Sequence, residues 1–184
     1  MKATQILMEE HRVIERVIGT LEAGADRLER GDDISPAFFI DTSQFIKGFA
    51  DGCHHVKEEK VLFPAMNDAG LPRESGPIGV MLAEHEQGRK YARALREAAE
   101  QWQSGDSTAR PRVIANARGY AALLRQHIAK EEGILFPLAD QVIPLQTQDQ
   151  VAEGFEHVEH EETGEGVHEK YLALATKLAQ QVAN

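Results

Sequence analysis

The sequence predicts an all-α protein: an antiparallel up-down four-helix bundle over residues 1–145, with a C-terminal helical extension over 146–184. Three observations carry this prediction. Apolar residues recur at spacings of three and four along most of the chain, the period of a helix with one buried face. No run alternates with the period of a strand. Breaks rich in Gly, Pro, Ser and Asp divide the chain into pieces of helical length, and such pieces bury their stripes by packing on one another.

The first helix shows Leu7, His11, Ile14, Ile18, Leu21, Ala25 and Leu28 on one face, and Gly31 with Asp32-Asp33 ends it. Ser35-Pro36 then reads as N-cap and first helical residue. Phe38, Phe45, Phe49, Val56 and Phe63 form the stripe of the second helix, and Gly48 and Gly52 within it predict close packing or a local bend. Residues 67–76 read as a loop. The third helix carries Ile78, Met81, Leu82, His85, Gly88, Ala92, Leu95, Ala99 and Trp102. After a second loop at 104–108, the fourth carries Val113, Ala117, Tyr120, Leu124, His127, Glu131, Ile134 and Leu138. Beyond Pro144 lie a polar linker, an acidic helical stretch at 149–162, a break at Gly164-Glu165-Gly166 and a last amphipathic helix at 167–182. These pieces are too short for a second domain. They are expected to pack across the bundle or to form the contact of a homodimer.

The chain has 184 residues, enough for one domain with a short extension, and at 42% hydrophobic it is too apolar to be disordered. Its formal net charge of -10 argues against general nucleic-acid binding. No apolar run is long enough to span a bilayer, so no membrane partner is expected. The first residues lack the apolar stretch of a signal peptide, which predicts a cytoplasmic protein. A single cysteine, Cys53, excludes an internal disulfide and a cysteine-based zinc cluster. The eight histidines are the unusual feature of this composition.

Their placement follows an internal repeat. His54, Lys57-Glu58-Glu59 and Leu62-Phe63-Pro64 recur 73 residues later as His127, Lys130-Glu131-Glu132 and Leu135-Phe136-Pro137. Glu10-His11 and Glu84-His85 match at an offset of 74. The chain thus reads as two copies of a helical hairpin, with a histidine on the apolar face of each of four helices. A His and a Glu four apart share one helix face, one turn apart. Two such pairs and two single His give six groups converging on the bundle centre. Buried imidazoles and carboxylates cost several kcal/mol each unless bonded, paired or bound to a cation. Imidazole and carboxylate without thiolate suit iron or manganese, and zinc less specifically.

With these residues in view, the sequence resembles the hemerythrin-like, or HHE cation-binding, family. The resemblance rests on MEEH ending at His11, CHHVKEEKVLFP at 53–64, AEHE around His85 and QHIAKEEGILFP at 126–137, and covers about residues 4–140. It implies a four-helix bundle around two non-haem iron ions. His11, His54, His85 and His127 would be terminal ligands and Glu58 and Glu131 the bridging carboxylates. Oxygen-carrying hemerythrins have a second histidine four residues after that of the third helix, and here that position is Arg89. The resemblance therefore implies one iron with fewer protein ligands, more open to water, peroxide or NO, and shifts the expectation away from reversible oxygen transport.

On the second helix two arguments compete. The repeat register selects His54 and Glu58, whereas the apolar stripe favours His55 and Glu59. The register is preferred, because Gly48 and Gly52 disturb the phase of the helix before them. His55 stays in the candidate set, since adjacent helix positions differ by about 100° and a long imidazole can turn inward; Glu59 is assigned to the surface or to support of a ligand from outside.

The remaining polar groups read more plainly. Cys53 is expected to be a buried structural thiol and Tyr120 a core aromatic. Phe63 and Phe136 are expected to wall the pocket, and Lys57 and Lys130 to face solvent. His157, His160 and His168 are assigned to a surface helix, with at most one capping contact from the extension to the centre. The functional expectation is a non-haem di-iron protein that binds O2, NO or peroxide, with open positions that allow turnover such as peroxide removal. The alternative is sensing or iron handling, including storage, donation and iron–sulfur repair. No catalytic residue is singled out beyond the metal set.

Overall fold

The computed structural model describes residues 2–164 and 166–183. Among these it contains helices and no strand. Six helices follow in order: α1 (Ala3–Arg30), α2 (36–68), α3 (Gly76–Gln103), α4 (110–142), α5 (145–164) and α6 (Val167–Val182). Helices α1 to α4 surround one core. α1 and α3 each pack against both α2 and α4, while α5 and α6 lie across α1 and α2.

Local chemistry sets the ends. Gly31 takes φ 79°, and its N–H reaches back to the Arg27 and Leu28 carbonyls, closing α1 in the left-handed turn that glycine enters without Cβ strain. The Ser35 hydroxyl accepts from the Ala37 N–H at 3.2 Å, with Pro36 at the first helical position. The break expected at 164–166 includes Glu165, which lies outside the described residues. Gly164 and Gly166 beside it have φ of 104° and 75°.

Helices α2 and α4 are not uniform. Wide π-type turns occupy Ile46–His54 and Glu58–Leu62 in α2, and Glu131–Leu135 in α4. The second and third are related by the 73-residue repeat, whereas the first has no counterpart in α4. A π turn places an extra residue in one turn and so shifts the phase of everything after it. This corrects two stripe expectations. Ile134 is 59% exposed, and Leu135, Phe136 and Ala139 are buried in its stead; Val56 is only half-buried. Gly48 lies under the Tyr171 ring of α6, where a Cβ would collide with the phenol.

The apolar core has two parts. One contains Ile14, Leu21, Phe38, Phe49, Leu95 and Leu124, and α6 adds Tyr171 and Leu178. The other contains Leu7, Phe63, Met66, Ile78, Phe136 and Phe155. Between them each helix of the bundle has a gap in its apolar stripe. The gaps hold His11, then His54, His55, Lys57 and Glu58, then His85, then His127 and Glu131, all buried. A polar layer is thus enclosed between two apolar plugs.

Candidate metal centre

All seven sequence-predicted residues, His11, His54, His55, Glu58, His85, His127 and Glu131, are buried in this layer, none more than 2% exposed. Their inward atoms form two groups. His55, Glu58, His85 and His127 make one; His11, His54, Glu58 and Glu131 make the other; within each group the atoms lie within 4.8 Å of one another. Glu58 belongs to both. The choice between His54 and His55 dissolves, because both rings face inward. The π turn before them, absent from α4, reduces the rotation between neighbouring residues. Histidine His55 joins the group beside Arg89 and fills out a set expected to be short of a ligand.

The five imidazoles are oriented by one rule. The Nδ1 of each meets a carboxylate: His11 with Glu132 at 2.9 Å, His54 with Glu10 at 2.8 Å, His55 with Asp51 at 2.9 Å, His85 with Glu59 at 2.7 Å and His127 with Glu84 at 3.0 Å. With Nδ1–H donating outward, each Nε2 presents a lone pair inward, the arrangement by which histidine ligands are held for a metal. Cations stand behind the carboxylates. Lys57 pairs with Glu10 at 2.5 Å, Lys130 pairs with Glu84, Arg12 with Glu132, and Arg89 with Glu59 at 2.6 Å.

Four of these pairs obey the repeat. Glu10–His54 corresponds to Glu84–His127, and His11–Glu132 to His85–Glu59. Lys57 and Lys130 follow the same relation, as do the rings that close the layer. Phe136 stacks on His11 with centroids 5.4 Å apart, and Phe63 on His85 at 5.9 Å. The supporting roles of Glu10, Glu84, Glu132, Lys57 and Lys130 were missed from the sequence, although the matched EH and KEE strings contain them. Asp51 and His55 have no repeat counterpart; the apolar stripe of the second helix pointed to His55, and no sequence signal pointed to Asp51.

Lys57 is the plain correction. It does not face solvent but is fully buried, between Glu10 and Glu159 of α5, the latter 2.9 Å away. Burial opposes its charge, but the two carboxylates raise its pKa above the usual lysine value. Lys130 is half-buried against Glu84. Among the described residues, Glu159 reaches from the extension to the lysine that backs the centre. His168 and Cys53 gather beside it and Glu10, but the Lys57 ammonium already neutralises those carboxylates. Cys53 is buried, and desolvation raises its pKa.

The residues fit a bound cation on their own geometry. Nε2 of His85 and Nε2 of His127 face each other at 3.0 Å, and two such lone pairs repel unless a proton or a metal lies between them. Both oxygens of Glu58 and of Glu131, and Nε2 of His11 and His55, are buried without an aligned hydrogen-bond partner among the described residues. They are nevertheless crowded together: Glu131 Oε2 is 3.1 Å from His11 Nε2, Glu131 Oε1 is 3.1 Å from His127 Nε2, and Glu58 Oε2 is 3.3 Å from His85 Nε2. Buried acceptors in such number are costly unless a cation satisfies them. Protons partly fill that role in its absence. Burial opposes the charged form of His127, yet Glu131 and Glu84 raise its pKa to about 9, and carboxylates raise that of His85 well above the usual range. Burial and the surrounding histidines push His55 well below it. Burial alone would raise the pKa of Glu131, but His127, His11 and His85 hold it far down.

A family model for the hemerythrin HHE cation binding domain matches residues 2–139. Two curated proteins are similar over most of the chain, an uncharacterized protein of Mycobacterium bovis and one of Mycobacterium tuberculosis. Each is 30% identical over 164 residues, which is 89% of this chain and 63% of theirs, so the chain spans less than two thirds of these relatives. No solved structure matches.

Proposed function

We propose, from the premise that this chain belongs to the hemerythrin HHE cation-binding family, that it holds two non-haem iron ions and binds O2, NO or peroxide between the helices. The observation that carries this reading is the pair of four-atom groups sharing Glu58. His55, His85 and His127 would serve one ion, His11 and His54 the other, with Glu58 and Glu131 between them. A bound iron pair would supply a redox couple and coordination positions open to a small ligand.

The chain's own contribution is orientation and exclusion. The five carboxylates fix the imidazole tautomers, and the carboxylates are fixed in turn by Lys57, Lys130, Arg12 and Arg89. Phe63 and Phe136 cover one side of the layer and keep bulk water from it. On the opposite side the Tyr120 hydroxyl is buried with no partner among the described residues, a free donor two turns before His127 that can reach toward a small oxygen-bearing ligand. The donor set suits iron and manganese alike and zinc less specifically, and the choice of iron rests on the resemblance to the hemerythrin family.

Metal analysis of protein purified without chelator tests the reading. Iron approaching two per chain, lost in His127→Ala and Glu131→Ala, supports it; a folded, metal-free protein overturns it. Oxygen release from peroxide by the iron-loaded protein separates turnover from binding alone.

One observation favours a second reading, sensing or iron handling without turnover. The chain His54–Glu10–Lys57–Glu159 links the centre to α5 through three short polar contacts. If iron loss or oxidation changes protease cleavage of residues 145–183, the extension reports the state of the centre. Unchanged cleavage removes this reading.

A further inference from the structure

A cavity of about 460 Å³ opens between α2 and α3, on the outer side of the centre. Lys47 and Asp51 line it from α2, four residues apart, and Arg89, Ala92, Arg93 and Arg96 from α3. Positions three and four apart share a helix face, so these are two facing stripes. In a chain of net charge -10, the lining is locally inverted, with four cations against one carboxylate. Two of the cations are committed: Arg89 to Glu59 and Asp51, and Arg96 to Glu100 at 2.8 Å. Lys47 and Arg93 are exposed and make no ion pair among the described residues.

We propose that this cavity binds a small organic anion bearing a carboxylate or phosphate group, held by Lys47 and Arg93 over the Arg89 guanidinium. A cleft lined by one sign of charge concentrates ligands of the other, and guanidinium matches the planar fork of an oxyanion. Ala92 and the methylene stems of the basic side chains give the apolar wall that an organic ligand, more than a bare ion, would use. The site is also placed to be felt at the centre. Asp51 lines the cavity and receives Nδ1 of His55 at 2.9 Å, and Arg89 holds the Glu59 oxygen that meets His85.

Calorimetric titration with butyrate and with inorganic phosphate tests the site, on the protein as purified and after chelation. Saturable binding of either anion to both forms is expected, and the stronger of the two names the ligand chemistry. Lys47→Glu combined with Arg93→Glu is expected to weaken it about tenfold, the effect of roughly 1.4 kcal/mol, with metal content and melting temperature unchanged. Butyramide, of the same shape without the charge, is expected not to bind. Absence of saturable binding by both anions, or equal binding by wild type and the double variant, overturns the proposal. Neither residue touches the metal groups, so failure here leaves the metal reading standing, and loss of the metal reading leaves this test intact.

Discussion

Glu10 and His54, on different helices, meet at 2.8 Å between a carboxylate oxygen and Nδ1, and the neighbour of Glu10 in the chain, His11, turns its ring to the same centre. One dipeptide therefore both supplies a candidate ligand and aims another. Glu84-His85 repeats the device on α3, with Glu84 aiming His127. Replacing an outer carboxylate of this kind costs metal affinity by roughly 10–100-fold. Glu10→Ala and Glu84→Ala are each expected to show that loss in chelator competition. Glu10→Gln, which keeps an acceptor for Nδ1–H, should lose less. Equal affinity of the alanine variants and wild type would show that these contacts do not hold the rings.

Lys57 and Lys130 are repeat mates in different surroundings, and their removal should differ. Lys57 is completely buried between two carboxylates, and Lys57→Met strands the buried Glu10 charge, at a cost of about 3–5 kcal/mol. Lys130 is 36% exposed beside Glu84, where Lys130→Met should cost about 0–1 kcal/mol. Urea unfolding of the two variants measures the contrast, and similar midpoints would contradict the burial argument.

The centre should make the metal-free protein sensitive to alkali. His127 has its pKa raised from 6.5 to about 9 in the folded chain, against the burial that opposes it. A raised folded-state pKa contributes stability that is fully present below 6.5 and is lost as pH rises through 9. The melting temperature of the metal-free protein should therefore fall over that window. Metal must displace the same protons, so loading should release protons and tighten with rising pH. A melting temperature that holds level from pH 6.5 to 9 after chelation would refute the assignment.

Tyr120 has its hydroxyl buried without a partner among the described residues, and burial raises its pKa well above 10, so it stays a donor at any ordinary pH. Tyr120→Phe should leave metal content and folding unchanged. If the hydroxyl meets the bound small ligand, the variant should release NO faster, by the loss of one hydrogen bond of about 0.5–1.5 kcal/mol. An unaltered NO dissociation rate would return Tyr120 to the role of a core aromatic.

Much of this molecule was legible in its sequence, for reasons that can be named. The stripe of α1, from Leu7 through His11 to Leu28, is buried as spaced, because a regular helix keeps a fixed 3.6-residue phase and Gly31 closes it. The internal repeat, at offsets of 73 and 74, located four of the five inward histidines and both inward glutamates, because each copy of the hairpin places the same residues at the same depth. Gly48 and Gly52 marked the place of the first π turn, but no local composition marks the two related by the repeat. The π turns moved Ile134 to the surface, Leu135 into the core and His55 beside His54.

The sequence by itself determined the helical class, the repeat and the identity of the inward-facing histidines and of Glu58 and Glu131. Hydrophobic period and residue type are local properties, and a duplicated string keeps its meaning wherever the chain carries it. Only the tertiary structure decided which carboxylate holds which imidazole, that Lys57 is enclosed and that Glu159 reaches it from the extension. These are pairings between residues up to 121 apart in sequence, as in His11 with Glu132. Their distances exist only once four helices share one axis and the apolar plugs at either end fix their depth.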